Sequence, residues 1–165
     1  VKPFEKELLI ARINAILENR DTLHQYFQDS ITLRNNTQKI SATYKEFLEK
    51  CISIIEDNLS NEDFNGQWLA RSCNLSYSIL YKKVKSISGL SLNAFIRSIR
   101  LRKAALLLLS TNTNVSEAAV EVGIYDVKFF RTQFKKLYGM NPSDYIKKYR
   151  HSFNKEFNLI KHQDV

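Results

Sequence analysis

Carboxylates are missing from one long stretch of this 165-residue chain. Between Phe64 and Ser116 there is no Asp or Glu, yet eight Lys or Arg fall within the same 53 positions. The flanks differ: residues 1–63 carry a net charge of −3, residues 117–150 carry +3, and residues 151–165 are neutral, so the overall +8 sits in one contiguous region. A surface that only confers solubility mixes both signs; a one-signed block of this length points to a polyanionic partner. Glycine and proline are also scarce, at four and two, which disfavours a turn-rich all-β fold. The longest apolar run, AALLLL at 104–109, is far short of the roughly 18–20 residues of a membrane span. The opening VKPFEKELL has charge without the apolar run of a signal peptide. Two cysteines, Cys51 and Cys73, form no CxxC and are distant in sequence from His24, His151 and His162. Reduced buried thiols are expected, and no metal site. With no glycine-rich phosphate loop and no nucleophile motif, neither a catalytic residue nor a cofactor is expected.

What the chain does contain is a repeat. LYKKVKSISGLSLNAFI (80–96) and FRTQFKKLYGMNPSDYI (130–146) lie fifty positions apart, with apolar residues coinciding at 80/130, 84/134, 87/137, 90/140, 95/145 and 96/146 and Gly89 falling on Gly139. Ser76 and Asp126, both good N-caps, hold the same offset. The pattern predicts helices from Ser76 to Ser88 and from Asp126 to Tyr138, each stopped by a glycine in the left-handed conformation. Each is preceded by a two-turn helix: GQWLARSC (66–73), with Trp68, Leu69 and Cys73 turned inward, and Ser116–Val122, closed by Gly123. Between the pairs runs a long helix capped by Ser91 and reaching Ser110. Pro142, suited to a first helical turn, opens a last helix to about Tyr149. A short helix, a tight turn and a capped second helix is the helix-turn-helix plan, and the chain holds two copies. Upstream, Leu8, Leu9, Ile13, Ile16 and Leu17 mark a helix over Phe4–Phe27. Tyr44, Leu48, Cys51, Ile55 and Leu59 mark another over Ala42–Leu59. The expected fold is all-α: two helix-turn-helix units joined by a long linker helix, with an appended N-terminal helix.

Each second helix has an inward and an outward face. Leu80, Val84 and Ile87 form the inward stripe of the first, which leaves Ser78, Tyr81, Lys82 and Lys85 outside. Phe130, Phe134 and Leu137 do the same in the second, leaving Val127, Lys128, Arg131, Thr132 and Lys135. Both outward faces combine cations for phosphate with short or flat side chains able to reach base edges in a major groove. The joining helix, at 1.5 Å per residue, spans about 30 Å. Successive major-groove openings on one side of B-DNA lie about 34 Å apart, so one monomer can span two.

The motifs LA...C.LS..ILYKKVK...G.S...FI...RL..A (69–104) and VSEAA.EVG.YD..FF...FKK.YGMNPSDY (115–145) resemble the DNA-binding domain of AraC-type transcriptional regulators. That resemblance implies a seven-helix double helix-turn-helix domain over 43–150. It also implies that Ser78, Tyr81, Lys82 and Lys85, then Val127, Lys128, Arg131 and Thr132, occupy base- and phosphate-contacting places. Two positions depart from the family pattern: Ile124 stands where phenylalanine is usual, and Thr132 stands where arginine is common, with Arg131 one residue earlier. The opening Lys-Pro-Phe followed by an amphipathic helix is similar to the last strand-to-helix junction of a response-regulator receiver. This implies a receiver remnant at 1–28, a linker at 29–42 and a tail at 151–165. It also implies that Lys2 lacks its acidic pocket here, and that the helix stripe lacks the sheet it would cover and favours self-association or disorder. The expected activity is that of a DNA-binding output domain of a hybrid two-component regulator in the cytoplasm. The expected partners are double-stranded DNA and a second copy joined through upstream or N-terminal segments, without a small-molecule ligand or membrane contact. A helical protein-interaction module with an acidic partner is the alternative, distinguished by the salt dependence of DNA binding.

Overall fold

The computed structural model describes residues 3–163. Among these residues the regular structure is helical: α1 (Pro3–Ile31), α2 (Ala42–Asp57), α3 (Gly66–Ser72), α4 (Tyr77–Ser88), α5 (Leu92–Ser110), α6 (Val115–Glu121), α7 (Val127–Tyr138) and α8 (Pro142–Gln163). The caps are where the side chains dictate. Ser76, Ser91 and Asp126 accept the backbone N–H of Ile79, Ala94 and Phe129, each satisfying one of the donors a helix start leaves open. Gly89 and Gly139 close α4 and α7 at φ +71° and +77°, a left-handed conformation that glycine adopts without the Cβ penalty.

Two hydrophobic clusters share α5 as their common wall. The first half of α5, through Leu92, Phe95, Ile96 and Ile99, packs with α2, α3 and α4. The second half, through Leu101, Ala104, Ala105, Leu108 and Leu109, packs with α6, α7 and Tyr145 of α8. Both cysteines are free and buried in the first cluster.

Five boundaries or faces differ from the sequence expectation. The helix expected to stop at Phe27 continues to Ile31, because Leu23, Phe27 and Ile31 recur every fourth residue and are all buried. The expected linker therefore starts later, and Phe27 stacks on Phe95 of α5 with ring centroids 5.4 Å apart. Trp68 is turned outward and 37% exposed, since Phe64, 8% exposed, takes the interior place beside it. Helix α6 starts at Val115 rather than Ser116. Its cap is Asn114, whose side chain takes the Glu117 N–H while the Glu117 carboxylate takes the Asn114 N–H, a capping box. Helix α2 ends at Asp57, two residues short of Leu59. The expected tail continues α8 to Gln163, and Phe153 packs against the second cluster. Lys2 lies outside the described residues.

Candidate nucleic-acid interface

The two units repeat in backbone detail. Asn74 and Gly123 both have positive φ, +55° and +78°. The N–H of the residue after each returns to the short helix, Leu75 to the Ala70 carbonyl and Ile124 to the Ala119 carbonyl, each at 2.9 Å. Those matches hold an offset of 49, whereas the caps Ser76 and Asp126 differ by 50. The second turn therefore has one extra residue between its left-handed position and the cap of its second helix.

That scaffold presents α4 and α7 outward. Leu80, Val84 and Ile87 are buried in the first unit, Phe130 and Phe134 in the second, and Leu137 is half-buried against both clusters. Ser78, Tyr81, Lys82 and Lys85 on α4 are exposed, as are Lys128, Arg131, Thr132 and Lys135 on α7. Val127 departs from the expected outward set. It is half-buried on the second cluster, because 127, 130 and 134 share one helical stripe. Two of the exposed groups are already engaged: the Lys85 ammonium donates to the Gly89 carbonyl at 3.0 Å, and the Thr132 hydroxyl donates to the Lys128 carbonyl at 3.1 Å. Neither α4 nor α7 contains an acidic residue. Among the described residues, one ion pair forms, Arg102 with Glu56 at 3.2 Å, so Lys82, Lys128 and Arg131 have no carboxylate partner there.

Charge alone overstated the basic face. Arg100 and Arg102, both inside the acid-free block, turn inward onto backbone: Arg100 reaches the Leu59 and Val122 carbonyls, and Arg102 reaches the Ser30 carbonyl and Glu56. The cations left outward are therefore concentrated on the second helices. Exposed apolar groups stand beside them. Tyr77 and Ile79 in the first turn of α4, 48% exposed each, and Phe129 in the first turn of α7, 42% exposed, stand off the buried stripes. The legible signal was a bulky side chain in a first turn outside the inward spacing. Arg97 of α5 lies over the Phe129 ring at 5.6 Å. First-turn residues of a helix-turn-helix second helix are those that reach base edges.

Helix α1 anchors to this scaffold at both units. His24 hydrogen-bonds the Ser86 carbonyl of α4 at 3.1 Å, and the Tyr138 hydroxyl of α7 donates to the Ile31 carbonyl at 3.0 Å. Its first half is different: Leu8, Leu9, Ile10, Ile13, Ile16 and Leu17 are all about half exposed or more.

Residues 69–148 match a helix-turn-helix domain family. The chain is 33% identical over 152 residues to histidine kinase P4 of Formosa agariphila, covering 92% of this chain and 11% of that protein. It is 37% identical over 100 residues to the HTH-type transcriptional regulator MtrA of Neisseria gonorrhoeae, covering 61% of this chain and 32% of that one. The chain thus spans about a tenth and a third of the lengths of these two relatives. Among solved structures, the C-terminal domain of the two-component response regulator YesN of Fusobacterium nucleatum superposes with a TM-score of 0.50 at 32% identity, over 64% of this chain and 99% of that domain. The paired units, their shared caps and stops, and these likenesses agree: the chain belongs to the AraC-type helix-turn-helix family of DNA-binding transcription regulators.

Proposed function

We propose that this chain is the DNA-binding output part of a two-component transcription regulator, acting in the cytoplasm and seating α4 and α7 in adjacent major-groove segments of one duplex. The observation that carries this reading is the pair of capped second helices whose outward faces bear cations and no carboxylate. In this reading Lys82, Lys128, Arg131 and Lys135 meet phosphates or base edges, while Ser78, Tyr81 and Thr132 contact bases or backbone. Lys85, tied to its own helix end, contributes charge more than readout, and Val127 contributes only its exposed edge. The chemistry is binding, not catalysis.

The receiver-like start and the likeness to YesN support the phosphorelay setting. The half-exposed Leu9, Ile13 and Ile16 of α1 recur at the 3-and-4 spacing of a helix-pairing seam, which supports a homodimer joined through α1. Because α1 is anchored to α4 through His24, the angle at which two α1 helices pair would be passed on to the first recognition helix. The test is fluorescence anisotropy with labelled duplexes over a salt series. Several phosphate contacts give a steep linear loss of log affinity with log salt, with a sequence-dependent remainder at physiological salt. A shallow slope, with no preference among duplexes, contradicts the reading and favours an acidic protein partner.

A further inference from the structure

The two hydrophobic clusters meet on α5 around Arg100, with half-buried Leu59 and Leu137 touching both. Ile99 of α5 is buried in the first cluster and Leu101 in the second; Arg100 stands between them, partly buried. Its Nη1 donates to the Leu59 carbonyl at 2.8 Å and to the Val122 carbonyl at 2.7 Å. Leu59 lies in the turn just past the end of α2, which packs in the first cluster, and Val122 caps the end of α6, in the second unit. The turn carbonyl that follows α2 and the carbonyl that caps α6, the latter at a helix end with its partial negative charge, thus converge on one guanidinium. Burial lowers the Arg100 pKa from its usual value, but an arginine remains a cation under such conditions.

The next residue has the shape this contact needs. Gly123 has φ +78°, and a Cβ there would run into the Arg100 guanidinium and the Leu59 carbonyl. The turn of the second unit therefore lies directly on the clamp. Among the described residues no carboxylate neutralises Arg100, so its charge is balanced by backbone dipoles of both units.

We infer that Arg100 is a positioning residue that fixes the second helix-turn-helix unit against the first and thereby sets the spacing of the two DNA elements the chain accepts. The spacing clause rests on the two-groove reading above; the clamp itself does not. A neutral, bulky side chain such as methionine leaves the Leu59 and Val122 carbonyls without the Arg100 donor. The second unit then loses its fixed angle while each unit keeps its own core.

Two measurements separate the clamp from the reading. Spin labels at Ser86→Cys in α4 and Lys136→Cys in α7, in a chain whose Cys51 and Cys73 are replaced by alanine, report the distance between the second helices without DNA. One narrow distribution is expected with Arg100 intact. Arg100→Met should at least double its width at unchanged helical circular dichroism, and Arg100→Lys should restore part of the order. Gly123→Ala, which displaces the guanidinium, should broaden it too and keeps the test alive if Arg100→Met fails to fold. An unchanged width in folded Arg100→Met and Gly123→Ala overturns the clamp. Selection from a random duplex library should then return one fixed spacing with Arg100 present, and the same two elements at several spacings for Arg100→Met. A fixed spacing in both, despite broadened distances, overturns the spacing assignment. A single element from the unaltered chain removes the two-groove reading, and the spin-label distances still decide the clamp.

Discussion

The two helix-turn-helix units follow one plan and hold it together differently. The first has an aliphatic inward stripe, Leu80, Val84 and Ile87, enclosed by α1, α2 and α5. The second has an aromatic one, Phe130 and Phe134, which Tyr138 and then Tyr145 and the exposed Tyr149 of α8 extend into a run of ring contacts with centroid separations of 4.4 to 5.8 Å. Both units borrow walls from neighbouring helices, the first from α1, α2 and α5 and the second from α5 and α8. The difference teaches that backbone geometry, fixed by caps and left-handed turns, is shared between the copies, while the filling is free to vary around it. It also places the first unit nearest α1, and so nearest any signal arriving through that helix.

Core truncation should break the comparison hardest. Phe134→Ala removes the centre of the aromatic run and should cost about 3–5 kcal/mol, and Leu80→Ala about 2–5 kcal/mol, both measured by thermal or denaturant unfolding. Hydrogen exchange on the two variants should show loss of protection first in the unit that was cut. Next come the recognition faces. Lys82→Ala and Arg131→Ala should each weaken specific binding by roughly 1–3 kcal/mol if they make bidentate base contacts. Equal losses on specific and random duplexes would assign that side chain to the backbone. Lys128→Ala should reduce the salt slope by about 1.

Smaller effects sharpen the comparison. Asn114→Ala removes the side-chain arm of a capping box and leaves the Asn114 N–H bonded to the Glu117 carboxylate, whereas Asn65→Ala removes the single bond to the Trp68 N–H at 3.0 Å. Each should cost around 1 kcal/mol, with Asn114 the smaller because its backbone arm survives. His24→Ala removes the hydrogen bond from α1 to α4, a loss of roughly 0.5–1.5 kcal/mol. Its effect should appear as faster exchange at the end of α4 and leave α7 untouched.

Much of this was legible because it is local. Ser76, Ser91 and Asp126 as caps, and Gly89 and Gly139 as stops, are dictated by residues within one helical turn, and the structure places them so. The repeat exposed the double architecture for the same reason. The misreadings arose where two residues compete for one role or where a tertiary contact decides. The expected start at Ser116 falls one residue late; Glu117, three residues after Asn114, is the signal that marks Asn114 as the cap. Trp68 fitted an inward spacing, but Phe64 fills that space. The polar run DSITLRNNTQ hid the continuation of α1, although Leu23, Phe27 and Ile31 carried the period. Arg100, Arg102 and Arg150 counted as surface charge in the sequence, yet all three donate to backbone carbonyls. Nothing in a charge count separates a cation facing a phosphate from one holding a helix end.

The central claim is that both units read DNA, and selection of bound sequences from a random duplex library, at low and at near-physiological salt, tests it most directly. The account predicts a motif with two elements about one helical turn apart that survives the higher salt. A single short element, unchanged when Arg131 is replaced by alanine, would contradict it and leave the second unit without a part in sequence recognition.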